Sequence, residues 1–267
     1  MHEIGSALLV FVLLLTATLI GVIVRPLLPE EHKKHETVQL VQLVIGMLVT
    51  FAALVLGLMT ASAKSSFDTA SNDLRAYAAT LIELDTTLRE YGGDTDSTRR
   101  LLRAYTAAAI ANTWPSETLP SGDDYPKDLP APTQPDRLEN TRLGDMLNLA
   151  GVEMRRLSAH DSLHQTLRDN GNALFARAVD ARWKLIEEAH SSISKPFLLT
   201  LAFWLVVIFL SFGLITPRNA LALVTITLGA VSIASAIYVI VDLDTPFSGP
   251  IIISSQPMRD ALAHMRR

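Results

Sequence analysis

Gln42, Gly46, Thr50, Ala53, Gly57, Thr60 and Lys64 follow one another at steps of three or four residues along one apolar stretch and one residue past its end. Such steps place all of them on one side of a helix. Apart from Lys64, each is small or polar without charge. Two uses suit such a side. Small residues let helix backbones approach closely, here at Ala53 and Gly57. Alternatively, the side faces an axis shared between copies of the chain and lines a path for ions, with Lys64 favouring anions at its mouth.

Asp242 and Asp244 open the run Asp242-Leu243-Asp244-Thr245-Pro246-Phe247-Ser248-Gly249-Pro250. Two carboxylates at this spacing can join main-chain carbonyls around a hard cation such as Ca2+. They can equally end an apolar helix, after which Pro and Gly turn the chain. His160 and His164 stand one helical turn apart, a spacing that suits zinc, but no third ligand is evident. Glu31-His32-Lys33-Lys34-His35-Glu36 reads as a solvated loop rather than a metal site. Ser192-Ile193-Ser194-Lys195 has the SxxK spacing of some acyl transferases, but the partner motifs are missing. There is no cysteine and hence no thiolate chemistry. Nothing in the chain argues for an enzyme or for a resident cofactor, a cation at Asp242 and Asp244 being the one candidate.

The elements that must position these residues come in two kinds. Ile4–Val24, Val38–Ala63, Phe197–Thr216 and Leu221–Val241 are apolar and free of Asp, Glu, Lys, Arg and His. Each approaches the roughly 20 residues that a helix needs to cross a bilayer. The first is read as a retained helix, because no basic segment precedes it and no small-residue cleavage pattern follows. Spans without ionisable residues argue against proton relays and ion-coupled carriers, so passive conduction or no transport fits better. The net charge of −4 offers no basic stripe for nucleic acid. One face of the membrane takes Arg25, Lys33, Lys34 and Arg218. The other takes Lys64, Arg75, Arg177, Arg182, Lys184, Lys195, Arg259, Arg266 and Arg267, and the positive-inside rule makes that face cytoplasmic.

Between the pairs of spans the chain is charged and helical in pattern. Leu74, Tyr77, Leu81, Leu84 and Leu88 form one stripe that continues the second span to Gly92-Gly93. A next helix, capped by Asp96 or Ser97, turns Leu101, Leu102, Tyr105 and Ala109 inward and stops at Trp114-Pro115. Residues 115–135 contain six prolines and read as a loop. Arg137–Arg168 and Ala173–Ser192 read as two helices around a break at Asn170-Gly171. Pro257–Met265 reads as a short amphipathic helix with Met258, Ala261, Leu262 and Met265 on one face. Only Pro250–Ser254 has any strand character. The expected architecture is an all-α membrane protein: spans 1 and 2 in residues 1–63, a cytoplasmic helical domain in 64–195, spans 3 and 4 in 196–241, and a cytoplasmic tail in 242–267.

Several runs, in this order, resemble a bacterial bestrophin-like membrane family. They are Leu56-Gly57-Leu58 with Ala61-Ser62-Ala63 and Phe67-Asp68; Leu84-Asp85 with Leu88, Tyr91 and Gly92; Arg100 to Tyr105 and Trp114; Phe203-Trp204-Leu205 to Phe212-Gly213-Leu214; Pro217-Arg218-Asn219-Ala220; and Asp242 to Gly249 with Ile253-Ser254 and Pro257. Bestrophins themselves are pentameric, calcium-gated anion channels whose second helix builds the pore. The resemblance therefore implies a pentamer with four spans and a helical cytosolic domain. It departs from bestrophins in two places. The acids Asp242 and Asp244 precede the Pro246-Phe247-Ser248-Gly249 segment instead of following it. The second span has Phe51 as its sole aromatic, where the bestrophin neck is aromatic.

The functional expectation is a homo-oligomeric anion channel of the bacterial inner membrane, both termini inside. Its partners would be the lipid bilayer, further copies of itself and small inorganic ions. The alternative is a membrane-anchored helical scaffold or sensor without conductance, in which the stripe from Gln42 to Lys64 only packs.

Overall fold

The structure, a computed structural model, describes residues 2–29, 35–120, 140–190, 195–217 and 219–267. Outside them lie Lys33 and Lys34, most of the 31–36 run, Arg218, the proline-rich segment beyond Pro120, and most of the SxxK run. The helices are α1 (His2–Val24), α2 (His35–Tyr91), α3 (Asp96–Thr113), α4 (Thr141–Arg155), α5 (Ser162–Glu188), α6 (Lys195–Ile215), α7 (Ala220–Leu243) and α8 (Gln256–Met265). There is no strand among the described residues, and 250–254 is bend and coil. The chain forms two compact units, Met1–Phe67 with Ser191–Ile251, and Asp68–His190 with Ile252–Arg267.

In the first unit, α1 packs on α6 and α7. Leu14 and Ala17 of α1 meet Leu201, Leu205, Ile208 and Phe209 of α6, with Ala230, Ile237 and Ile240 of α7 and Ile45, Ala52, Met59 and Ala63 of α2. Four helices, α1, α2, α6 and α7, are long and apolar enough to cross a membrane. Much of their apolar surface is open: Leu9, Leu43, Leu58, Leu199, Phe203, Leu221 and Leu228 are all exposed. Contiguous apolar exposure on this scale suits lipid, not water. Lipid tails are as apolar as leucine, so close packing must hold such helices together. That packing occurs where Gly21 of α1 meets Gly213 of α6. A Cβ at Gly21 would lie 2.9 Å from the Gly213 Cα and run into the Leu210 carbonyl. Arg25 closes the end of this helix pair by donating from Nη1 to the Thr216 carbonyl.

In the second unit the stripe on α2 is the core. Leu74, Tyr77, Leu81, Leu84 and Leu88 are buried, with Leu102, Tyr105 and Ala109 of α3, while Leu101 is half-buried. Gly92, at φ 112°, lies in the left-handed region and ends α2. The next cap differs from expectation. Asp96 is already helical, and the preceding residue, Thr95, turns its Oγ1 back onto the Leu88 and Gly92 carbonyls. The expected break at Asn170-Gly171 is absent, because α5 runs straight through it. Gly171 is buried where a Cβ would stand 3.4 Å from Met154 Cε, so it makes room for α4 instead of ending a helix. The break falls at 156–161, where Asp161 caps α5 by accepting from the His164 N–H at 2.8 Å. The face predicted for α8 is the buried one: Met258, Ala261, Leu262 and Met265 complete the core beside α3.

Candidate functional site

Gln42, Gly46, Thr50, Ala53, Gly57, Thr60 and Lys64 all lie on α2 and all are exposed. The helix turns Ile45, Ala52, Met59 and Ala63 to the core of the first unit, which leaves the stripe on its open side. Gly46 and Gly57 have nothing within 4 Å of an ideal Cβ. Close approach of helices within the described chain therefore occurs at Gly21 and Gly213, and not along this stripe. The open surface of α2 is wider than the stripe, since Leu40, Leu43, Val44, Met47, Leu54 and Leu58 are exposed too. Thr50 and Thr60 donate their hydroxyl hydrogens to the Gly46 and Leu56 carbonyls at 2.9 and 2.8 Å. What they present outward is oxygen lone pairs. At the end of the stripe the Lys64 ammonium lies 5.6 Å from the centre of the Phe67 ring, within cation–π range. Phe51 pairs with Trp204 of α6, ring centres 6.4 Å apart.

Asp242 and Asp244 are both buried at the end of α7. Asp242 Oδ2 accepts from the Ile251 N–H at 2.9 Å, so this carboxylate folds the following loop back onto the helix end. Gly249, at φ 102°, passes so close that a Cβ would collide with the same carboxylate, 3.3 Å from its Cγ. Asp244 is the C-cap of α7, its N–H donating to the Ile240 carbonyl at 3.3 Å. A calcium ion takes six to eight oxygens. Among the described residues no cluster of three or more His, Cys, Asp or Glu side chains is assembled. Asp242 therefore anchors a loop, and the described residues of one chain gather no further acidic side chains around the pair. His160 and His164 face acids singly, Asp94 at 3.5 Å and Asp161 at 2.8 Å. The Asp161 carboxyl is held below its usual range by the His164 backbone and side chain.

Other polar groups stand on the buried faces of the second unit. Asp73 continues the Tyr77–Leu81 stripe one turn earlier, and Arg182 sits among Leu174, Ala178 and Leu185 on the buried side of α5. Tyr77 and Tyr105 share a hydroxyl hydrogen bond of 2.7 Å in the core, and burial pushes both phenols up. Asp85, wholly buried, accepts from Arg89 and Arg99 at 2.8 Å each. A polar residue that keeps the step of an apolar stripe was the available signal; its partners were not readable.

The family model of the Bestrophin-like domain matches residues 11–258, nearly the whole chain. The chain belongs to the bestrophin-like family. No curated protein matches the sequence. Among solved structures, this bestrophin-like chain is similar to bacterial bestrophin homologues from Klebsiella pneumoniae. One single-substitution variant is 16% identical with a TM-score of 0.65, covering 98% of this chain and 100% of the other. Another is 18% identical with a TM-score of 0.64, covering 98% of each chain. A third, phased on zinc, is 18% identical with a TM-score of 0.62, covering 97% of this chain and 96% of the other. At these identities the likeness carries the fold.

Proposed function

We propose that the protein is a subunit of a passive, bestrophin-like anion channel in the bacterial inner membrane, with copies arranged, as in bestrophins, as a pentamer around α2. Family membership supports this reading. The observation that carries it is the exposed stripe from Gln42 to Thr60, in which Gly46 and Gly57 meet no neighbour among the described residues. A face of small and polar residues that the protomer leaves open suits a water-filled axis better than lipid tails. The Lys64 ammonium ends that face and favours anions. On this reading α1, α2, α6 and α7 span the bilayer, and the second unit and both termini lie in the cytoplasm, as the distribution of Lys and Arg favours. Asp242 then holds the loop that leads the chain out of the membrane.

The test is reconstitution of the purified protein in planar bilayers under asymmetric chloride and sodium gradients, with and without calcium. Unitary currents that reverse near the chloride potential are expected. A reversal near the sodium potential would overturn the anion assignment. Silence from a folded oligomer in several lipid mixtures would replace the channel with a membrane-anchored scaffold.

A further inference from the structure

Within the second unit, α2 and α5 set two acids against each other. Asp73 of α2 and Glu188 of α5 flank one ammonium, that of Lys184. Lys184, one turn before Glu188, places its Nζ 2.9 Å from Asp73 Oδ2 and 3.9 Å from Glu188 Oε1. The acids are 24% and 20% exposed, the lysine 56%. Asp73 Oδ2 and Glu188 Oε2 are both shut off from water. Lys184 reaches the first of these oxygens, and no hydrogen-bond donor reaches the second among the described residues.

An ionised carboxylate offers acceptors only. Two of them around one ammonium, each with an oxygen shut off from water, repel, and a single lysine cannot neutralise both. One proton held by the pair removes the excess negative charge and supplies a donor where only acceptors stood. We propose that Asp73 and Glu188 form a proton-binding site that holds one proton between α2 and α5 in mild acid and releases it as pH rises through neutrality. The charged groups acting on the acid pair are Lys184, which favours ionisation of both, and Glu187, which opposes ionisation of Glu188.

The two acids are pushed apart in the way a shared proton requires. Burial, then the hydrogen bond and charge of Asp73, raise Glu188 to about 7. Burial would raise Asp73 as well, but its bonds with Lys184 and Glu188 outweigh that and leave it lowered. An acid raised in the folded state stabilises that state below its unfolded pKa, and the contribution is lost as pH rises through the folded one. The contact between α5 and α2 therefore weakens as pH climbs through neutrality. The lowered Asp73 acts in a separate, acidic window: its stabilisation is present above its unfolded value and disappears as pH falls through its folded one.

The decisive experiment is infrared spectroscopy of the full chain in lipid nanodiscs, titrated from about pH 5 to about pH 9, a range that brackets ordinary carboxyl and imidazole values. A protonated-carboxyl C=O band that disappears around neutrality is expected, and Glu188→Gln should remove that titration. Lys184→Met should move it to higher pH, because the ammonium that favours ionisation is gone. No protonated carboxyl titrating near neutrality in the unaltered chain would overturn the proposal. So would a titration that Glu188→Gln and Asp73→Asn both leave unchanged, or one that Lys184→Met does not move. Should Glu188→Gln fail to fold, the unaltered chain and Lys184→Met still decide the matter.

Discussion

Lys64 carries the charge of the proposed conduction face, and the threonines along it do not offset that. Their hydroxyl hydrogens are given to their own helix, which leaves oxygen lone pairs outward. Anion preference in this chain then rests on the ammonium at the end of α2. Lys64→Glu should shift the reversal potential under a chloride gradient away from the chloride potential and toward that of the cation. Unchanged permeability ratios would remove Lys64 from the selectivity argument. Asp85 is the stability counterpart. Its buried carboxylate answers Arg99, whose side chain is 16% exposed. Asp85→Ala should lower unfolding stability by about 3–5 kcal/mol, the cost of leaving a buried charge without its partner. Thermal unfolding followed by circular dichroism measures the loss. Asp85→Ala combined with Arg99→Met should recover part of it.

At the scale of elements, glycine has opposite meanings on different helices. Gly213 touches backbone: a Cβ there would lie 3.0 Å from the Gly21 Cα and strike the Thr18 carbonyl. Backbone cannot rotate aside as a side chain can, so Gly213→Val should force α1 and α6 apart and cost about 1–3 kcal/mol, the usual scale of overpacking. Among the described residues nothing lies within 4 Å of a Cβ built at Gly57. Gly57→Val should leave the helical content and melting of the protein unchanged while reducing unitary conductance. A loss of oligomer with no conductance in the unaltered protein would instead make this face a packing surface of a scaffold. Helix ends followed their own logic. Gly92 ended α2 as expected, because no side chain interferes with its positive φ. Asn170-Gly171 did not end a helix, because Gly171 sits against Met154 and tertiary packing prevailed over local preference. The true break, 156–161, holds no Gly or Pro and is marked only by the Asp161 cap.

For the molecule as a whole, the architecture was largely written in hydropathy. The four apolar helices, the long α2, the α3 stop at Trp114 and the inward face of α8 are all one-dimensional patterns with a fixed step, and each was legible for that reason. The stripe on α2 was legible in the same way, and its exposure became visible only once Ile45, Ala52 and Met59 were seen to take the core side. The acid pair was not legible. Asp73 and Glu188 are far apart in the chain, and which residue faces which depends on how α5 lies against α2. Asp242 was legible as a helix-ending acid, but its bond to the Ile251 N–H was not, because that contact belongs to a loop folded back on itself.

The division of the chain also orders its biogenesis. Residues 252–267 belong to the second unit, yet the ribosome makes them only after α6 and α7 of the first. Trp114 donates to the Ile253 carbonyl at 2.7 Å, and Arg259 grips Glu117 at 3.0 Å. Met258, Ala261, Leu262 and Met265 fill the side of the core that α3 offers. The second unit therefore waits, with an apolar face of α3 uncovered, until the last apolar helices have been made. A nascent chain in that interval carries this face of α3 with no α8 to cover it.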